Sequence, residues 1–139
     1  MSECVIADAA ERQLAIDPTR SFCVSAPAGS GKTELLIQRF LALLARVDEP
    51  EQVDAITFTR KAAAEMRERL TAALQAARTG AAADGSHAQT TRDLASAVLA
   101  RDAACSWQIT ANSARLRVRT IDSFCADLAR QMPVLSSLG

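Results

Sequence analysis

Ala26-Pro27-Ala28-Gly29-Ser30-Gly31-Lys32-Thr33 lies between a short apolar run, Phe22-Cys23-Val24, and an amphipathic stretch that opens at Glu34. Gly29 and Gly31 carry no Cβ, so the backbone there can take positive φ and turn N–H groups inward as a nest for phosphate oxygens. Lys32 is placed to open a helix and reach the outer phosphates of a nucleotide. The Thr33 hydroxyl is placed to hold Mg²⁺, and the helix N-terminus adds partial positive charge. The full pattern is Gly, four residues, then Gly-Lys-Ser/Thr, and Ala26 stands at its first position. A glycine-rich turn with an exposed lysine is the simpler alternative. Against it, strand, loop and helix are predicted here in the order that a phosphate-binding loop requires.

The bulk properties fit one soluble globular domain. Of the 139 residues, 49% are apolar and 23% charged, enough for a core and too apolar for disorder throughout. Sixteen basic and sixteen acidic residues cancel, so any nucleic-acid contact must come from local placement. Cys4, Cys23, Cys105 and Cys125 lack metal-ligand spacing and His87 is the single histidine, which argues against a zinc site and for free, buried or half-buried thiols. Scattered cysteines, no signal peptide after Met1 and no membrane-length apolar run predict a cytoplasmic protein without a membrane partner.

Working outward, residues 7–16 are good helix formers halted at Asp17-Pro18, and residues 21–25 read as a buried parallel strand. The run from Glu34 to Arg46 is predicted helical, with apolar positions 36, 40, 43, 44 and 47 inward. Residues 53–59 read as a second strand and residues 61–77 as a helix with Met66, Leu70 and Leu74 on one stripe. Residues 78–90 are small and polar without a period and predict a mobile loop. A helix over 92–104 follows, with Trp107 covering its apolar side, then a strand over 116–121. Asp122-Ser123 are expected to cap a last helix from Phe124 to Gln131 that Pro133 ends. Alternating strands and helices imply a parallel sheet with crossovers. The segments divide as 1–20, an N-terminal helix and adenine-side piece; 21–78, the phosphate-loop unit; 79–91, a flexible loop; and 92–139, a helical insert, third strand and final helix.

A phosphate loop alone leaves kinases, GTPases, transporter ATPases and helicases open. Ala55-Ile56-Thr57-Phe58-Thr59-Arg60-Lys61, continuing through Arg69, resembles motif Ia of UvrD/Rep-type superfamily 1 helicases, where a strand end and helix start touch single-stranded DNA. Physically, Phe58 can offer a ring face to a base while Thr59, Arg60 and Lys61 hold a phosphate beside a helix N-terminus. Taken singly, Phe58 also fits a core position and Arg60-Lys61 a solvated pair. Glu65 and Arg69 are spaced for an exposed ion pair on the helix. Val118-Arg119-Thr120-Ile121-Asp122-Ser123-Phe124-Cys125 resembles motif Ib, with Asp122 where the family usually has His. That leaves Thr120 and Ser123 as the expected DNA contacts. The loop variant with Glu34-Leu35-Leu36 resembles the RecB/AddA-like branch, exonuclease V beta subunits included.

The resemblance implies an α/β, RecA-like P-loop NTPase fold, of which the chain is an incomplete first motor domain, its start genuine at Met1 and its end truncated. It implies ATP and Mg²⁺ as cofactors, single-stranded DNA as partner, helicase-nuclease subunits as further partners, and 3′ to 5′ translocation in repair or recombination. Nucleotide contacts are expected from Ala26 to Glu34, with Lys32 and Thr33 catalytic. Such helicases carry a glutamine for the adenine edge. Gln13 is one candidate, the family spacing falls nearer Glu11 or Arg12, and a merely exposed helix residue is the alternative. The Walker B acidic pair and the arginines of a second domain are absent from the sequence, so the 139 residues alone are expected to bind nucleotide without turnover. A small-molecule kinase and a non-catalytic DNA-binding or docking module remain the rival readings.

Overall fold

The computed structural model describes residues 9–29 and 31–132. Helix α1 (Ala9–Ile16) is followed by the loop, helix α2 (Lys32–Leu44), strand β1 (Asp54–Thr57), helices α3 (Arg60–Thr79) and α4 (Ser86–Cys105), strand β2 (Arg117–Thr120) and helix α5 (Ile121–Gln131). β1 and β2 pair in parallel, with Asp54 opposite Arg117 and Thr57 opposite Thr120. α3 and α4 make the crossover that parallel neighbours require. The architecture is mixed α/β, as the alternation of periods predicts.

The core lies where α2, α3, α4 and β2 meet. Ile37, Leu41 and Leu44 from α2 pack with Leu70 and Leu74 from α3, Val98 from α4, and Val118 from β2. The predicted stripe Met66, Leu70, Leu74 is buried, with Ala63 one turn earlier. On α2 the inward face is wider and rotated relative to the expected one. Leu36 is 53% exposed, while Leu35 and Ala42 face α1, and Ile37, Leu41 and Leu44 face the crossover helices. A helix sandwiched between two layers buries neighbouring positions that a single stripe leaves out.

Three predicted elements differ. Residues 21–25 have no regular secondary structure and pair with no strand among the described residues, and Val24 is 46% exposed. The turn leading into this stretch is held by a side chain. Arg39 of α2 donates to the carbonyls of Ala15, Asp17 and Arg20, and its guanidinium lies 5.3 Å from the Phe22 ring centroid. The loop predicted over 78–90 shrinks to six residues between α3 and α4. Ser86 to Thr91 are helical because their polar groups find partners. Gln89 donates to Asp93, and Thr90 donates to the Ser86 carbonyl. Buried Gln38 donates to the His87 carbonyl and to Thr91 Oγ1. The last helix begins at Ile121, capped by Thr120, whose Oγ1 accepts from the Ser123 N–H, so Asp122 and Ser123 lie within the first turn. Cys105 is half-buried as expected, but Cys23 and Cys125 are exposed. Cys4, Ser30 and Pro133 lie outside the described residues.

The turn after α2 is gripped from the α4–β2 connection. Arg101 donates to the Val47 carbonyl and Asp48, the Trp107 indole N–H donates to the Asp48 carbonyl at 2.8 Å, and Arg115 bridges Glu49 and Glu51. The hydrogen bond from Arg115 holds the Glu51 carboxyl below the usual carboxylate range, against the upward push of partial burial. A depressed carboxylate stabilises the fold above its unfolded-state pKa and loses that contribution as pH falls through the folded value. Glu51→Gln therefore flattens the acid side of the stability profile. Urea midpoints measured from neutral pH down through the carboxylate range check this, and a profile as steep as that of the unaltered chain would contradict it.

Candidate nucleotide and nucleic-acid site

The candidate loop has the expected backbone at its two glycines. Gly29 and Gly31 sit at φ +78° and +81°, the left-handed region. At Gly29 an added Cβ would meet nothing within 4 Å, so glycine is required there by conformation alone, whereas at Gly31 it would also press on the Arg12 guanidinium at 3.3 Å. Gly31 is the N-cap of α2 and no side chain caps that end, which leaves first-turn N–H groups for an anion. Lys32 Nζ donates to the Ala26 carbonyl at 2.7 Å, bringing the ammonium back across the loop formed by Ala26, Pro27, Ala28 and Gly29. Thr33 is exposed in the first turn of α2. Glu34, expected at the nucleotide, turns away. Its carboxylate accepts from Thr91 Oγ1 at 2.6 Å and lies 4.0 Å from Arg69, so Arg69 serves α2 instead of the expected partner Glu65.

A cleft of about 320 Å³ continues from the loop, with Ala26 and Lys32 at one end and Arg12 on its wall. Leu14, Phe22, Val24 and Leu35 give it apolar sides. Arg12 Nη1 donates to the Gly31 carbonyl at 3.4 Å. Gln13 is exposed and outside the cleft lining, so of the two predicted base contacts the structure brings Arg12, and not Gln13, to the loop.

The second cluster gathers at the carboxyl ends of the strands. Thr57 and Thr120 are register partners, so the starts of α3 and α5 stand side by side at one sheet edge. Phe58 is 91% exposed, which removes the core reading. Thr59 caps α3, its Oγ1 accepting from the Ala62 N–H at 3.1 Å, and Arg60 and Lys61 are exposed in the first turn. Thr120 is different. It is buried and its hydroxyl oxygen accepts from its own helix, so it shapes the edge and does not face outward as the DNA contact expected of it. Ser123 and Asp122 are exposed.

A comparison with protein families matches residues 7–137 to the UvrD/REP helicase N-terminal domain. The chain belongs to this family. Among curated relatives, an ATP-dependent helicase/nuclease subunit of Desulfitobacterium hafniense is 41% identical over 123 residues, covering 86% of this chain and 8% of the relative. The corresponding helicase/nuclease protein of Desulforamulus reducens is 37% identical over 124 residues, again 86% of this chain and 8% of the relative. The ATP-dependent DNA helicase UvrD2 of Mycobacterium tuberculosis is 45% identical over 74 residues, 52% of this chain and 11% of the relative. The chain thus spans about a tenth or less of the length of these relatives. No solved structure matches it.

In this UvrD/REP helicase N-terminal domain, two arginines near the strand ends are committed internally. Arg119 donates to Asp54 and Asp127 and lies 4.9 Å from the Phe124 ring centroid, and Arg67 donates to the Val118 carbonyl. These bonds leave Arg60 and Lys61 as the cations that face outward beside Phe58. The pairing of Arg119 with Asp54 links positions 65 apart, which no local pattern reveals. Among the described residues no cluster of His, Cys, Asp and Glu suits a metal ion, and no helix is long and apolar enough to cross a membrane.

Proposed function

We propose that this domain is the ATP-binding opening part of the first, RecA-like motor domain of a longer cytoplasmic enzyme. That enzyme couples ATP hydrolysis to 3′ to 5′ movement on single-stranded DNA in repair or recombination, within the helicase-nuclease branch and together with other polypeptides of such a complex. The observation that carries the reading is the placement of two features on one parallel α/β unit. One is a phosphate loop with both glycines at positive φ. The other is a strand end that presents an almost fully exposed phenylalanine followed by Thr59, Arg60 and Lys61 at a helix start. The names of the relatives, a helicase/nuclease subunit and a UvrD2 helicase, support it.

In this reading the backbone N–H groups around Gly29 and Gly31 cradle the phosphates, Lys32 leaves the Ala26 carbonyl for the outer phosphates, and Arg12 borders the base. The exposed Thr33 hydroxyl fits an oxygen-seeking cation, so it is the residue that would hold Mg²⁺, which supplies charge neutralisation to the transferring phosphoryl group. The apolar stretch 21–25, unpaired among the described residues, fits a sheet that further strands complete, one of them bearing the acidic pair missing from these 139 residues.

Phe58 gives the test of the DNA edge. A base stacked on an aromatic ring contributes about 1–3 kcal/mol, so Phe58→Ala in the full-length protein weakens single-stranded DNA binding by about 5- to 150-fold and leaves nucleotide affinity unchanged. Fluorescence anisotropy with a labelled oligonucleotide reads it, and unchanged DNA affinity would remove the stacking role. Turnover stimulated by DNA separates this reading from a small-molecule kinase.

A further inference from the structure

Glu34 is the third residue of α2, directly after Lys32 and Thr33. N–H groups in the first turn of a helix have no partner within the helix, which is why an anion settles there. A side chain of the helix itself can compete for them. Glutamate or glutamine at the third helical position reaches back to the N–H of the N-cap residue and closes the helix end. This chain does so at the turn Pro50–Gln52, where the Gln52 side chain accepts from the Glu49 N–H at 3.1 Å. By the same spacing Glu34 is placed to close on Gly31, the N-cap of α2, and to set its own carboxylate where phosphate is held.

It does not do so. No side chain caps α2, and both oxygens of the Glu34 carboxylate are drawn toward other helices. Oε1 accepts from Thr91 Oγ1 of α4 at 2.6 Å, and Oε2 lies 4.0 Å from Arg69 Nη1 of α3. Thr91 is itself fixed, since its oxygen accepts from Nε2 of buried Gln38 at 3.1 Å. We infer that Thr91, assisted by Arg69, is a positioning residue that keeps the nucleotide site open by holding the Glu34 carboxylate away from the start of α2. The inference rests on the nucleotide-site reading above and adds what prevents that site from capping itself.

The experiment measures ADP binding to the full-length protein in Mg²⁺ buffer by calorimetry. Thr91→Val removes the donor, and the freed carboxylate falls back on the Gly31 N–H in competition with phosphate. Affinity is expected to drop by about 2- to 30-fold, the range of one helix cap. Adding Glu34→Ala to that variant removes the competitor and is expected to restore the affinity. Thr91→Ser keeps the hydroxyl and is expected to bind as the unaltered protein does. Arg69→Gln, which breaks an exposed pair and disturbs no core contact, is expected to lower affinity by up to about 5-fold. It carries the test, again with Glu34→Ala as the rescue, if Thr91→Val fails to fold. Unchanged affinity in the variant that carries the test would overturn the inference alone. So would a loss that Glu34→Ala leaves in place, because a merely structural Thr91 weakens the site with or without Glu34. Failure of the unaltered protein to bind ADP would overturn the phosphate-site reading with it.

Discussion

Lys32→Ala in the full-length protein lowers ATP turnover by about 10²–10³-fold or more, the loss that follows removal of one preorganised donor to developing charge. The structure makes this a clean experiment. Lys32 is exposed, and its one hydrogen bond among the described residues is to the Ala26 carbonyl, a group that water replaces without leaving a buried orphan. The fold therefore stays intact, with a melting temperature close to that of the unaltered protein, while turnover collapses. DNA binding through the Phe58 edge persists, since β1 and the start of α3 make no use of Lys32. Steady-state ATPase assays with saturating single-stranded DNA check the prediction. Near-normal turnover would remove the loop from the chemistry.

The largest effect on stability is expected at Trp107. Its ring is 3% exposed in the main core and its indole N–H donates to the Asp48 carbonyl, fastening the connection before β2 onto the turn after α2. Trp107→Ala removes that packing, leaves a cavity, and costs about 3–5 kcal/mol. In a domain whose net stability is about 5–15 kcal/mol, that is a large share. Trp107→Phe keeps most of the buried surface and gives up the hydrogen bond, for a loss nearer 1 kcal/mol. Denaturant unfolding of both variants orders them. An equal loss in the two would mean that the hydrogen bond, and not the packing, holds this junction.

What can be read from the sequence follows the range of the interaction involved. The Met66-Leu70-Leu74 stripe is legible because helix periodicity is local and the opposite face of α3 is polar. The loop backbone is legible because glycines at 29 and 31 have a conformational reason to be there. Residues 21–25 read as a strand on apolar content alone, and whether such a stretch pairs is a property of its neighbours, which no local pattern reveals. Ser86 to Thr91 mimic a loop because their polar groups are satisfied in part by Gln38, some fifty positions away. At the sheet edge, Phe58 is ambiguous until its exposure is known. Thr120 passes for an outward contact because the helix starts three residues earlier than predicted, which turns its hydroxyl into a cap.

Arg39 has a mechanical consequence. Three carbonyls from the end of α1 and the following turn converge on one guanidinium rooted in α2, the helix that begins at the phosphate loop. Two walls of the cleft are thereby tied to one another, and a hinge opening between α1 and α2 would break all three bonds together. If the cleft takes a nucleotide base, as proposed, entry and exit are expected to use motion of some other wall against this tied pair.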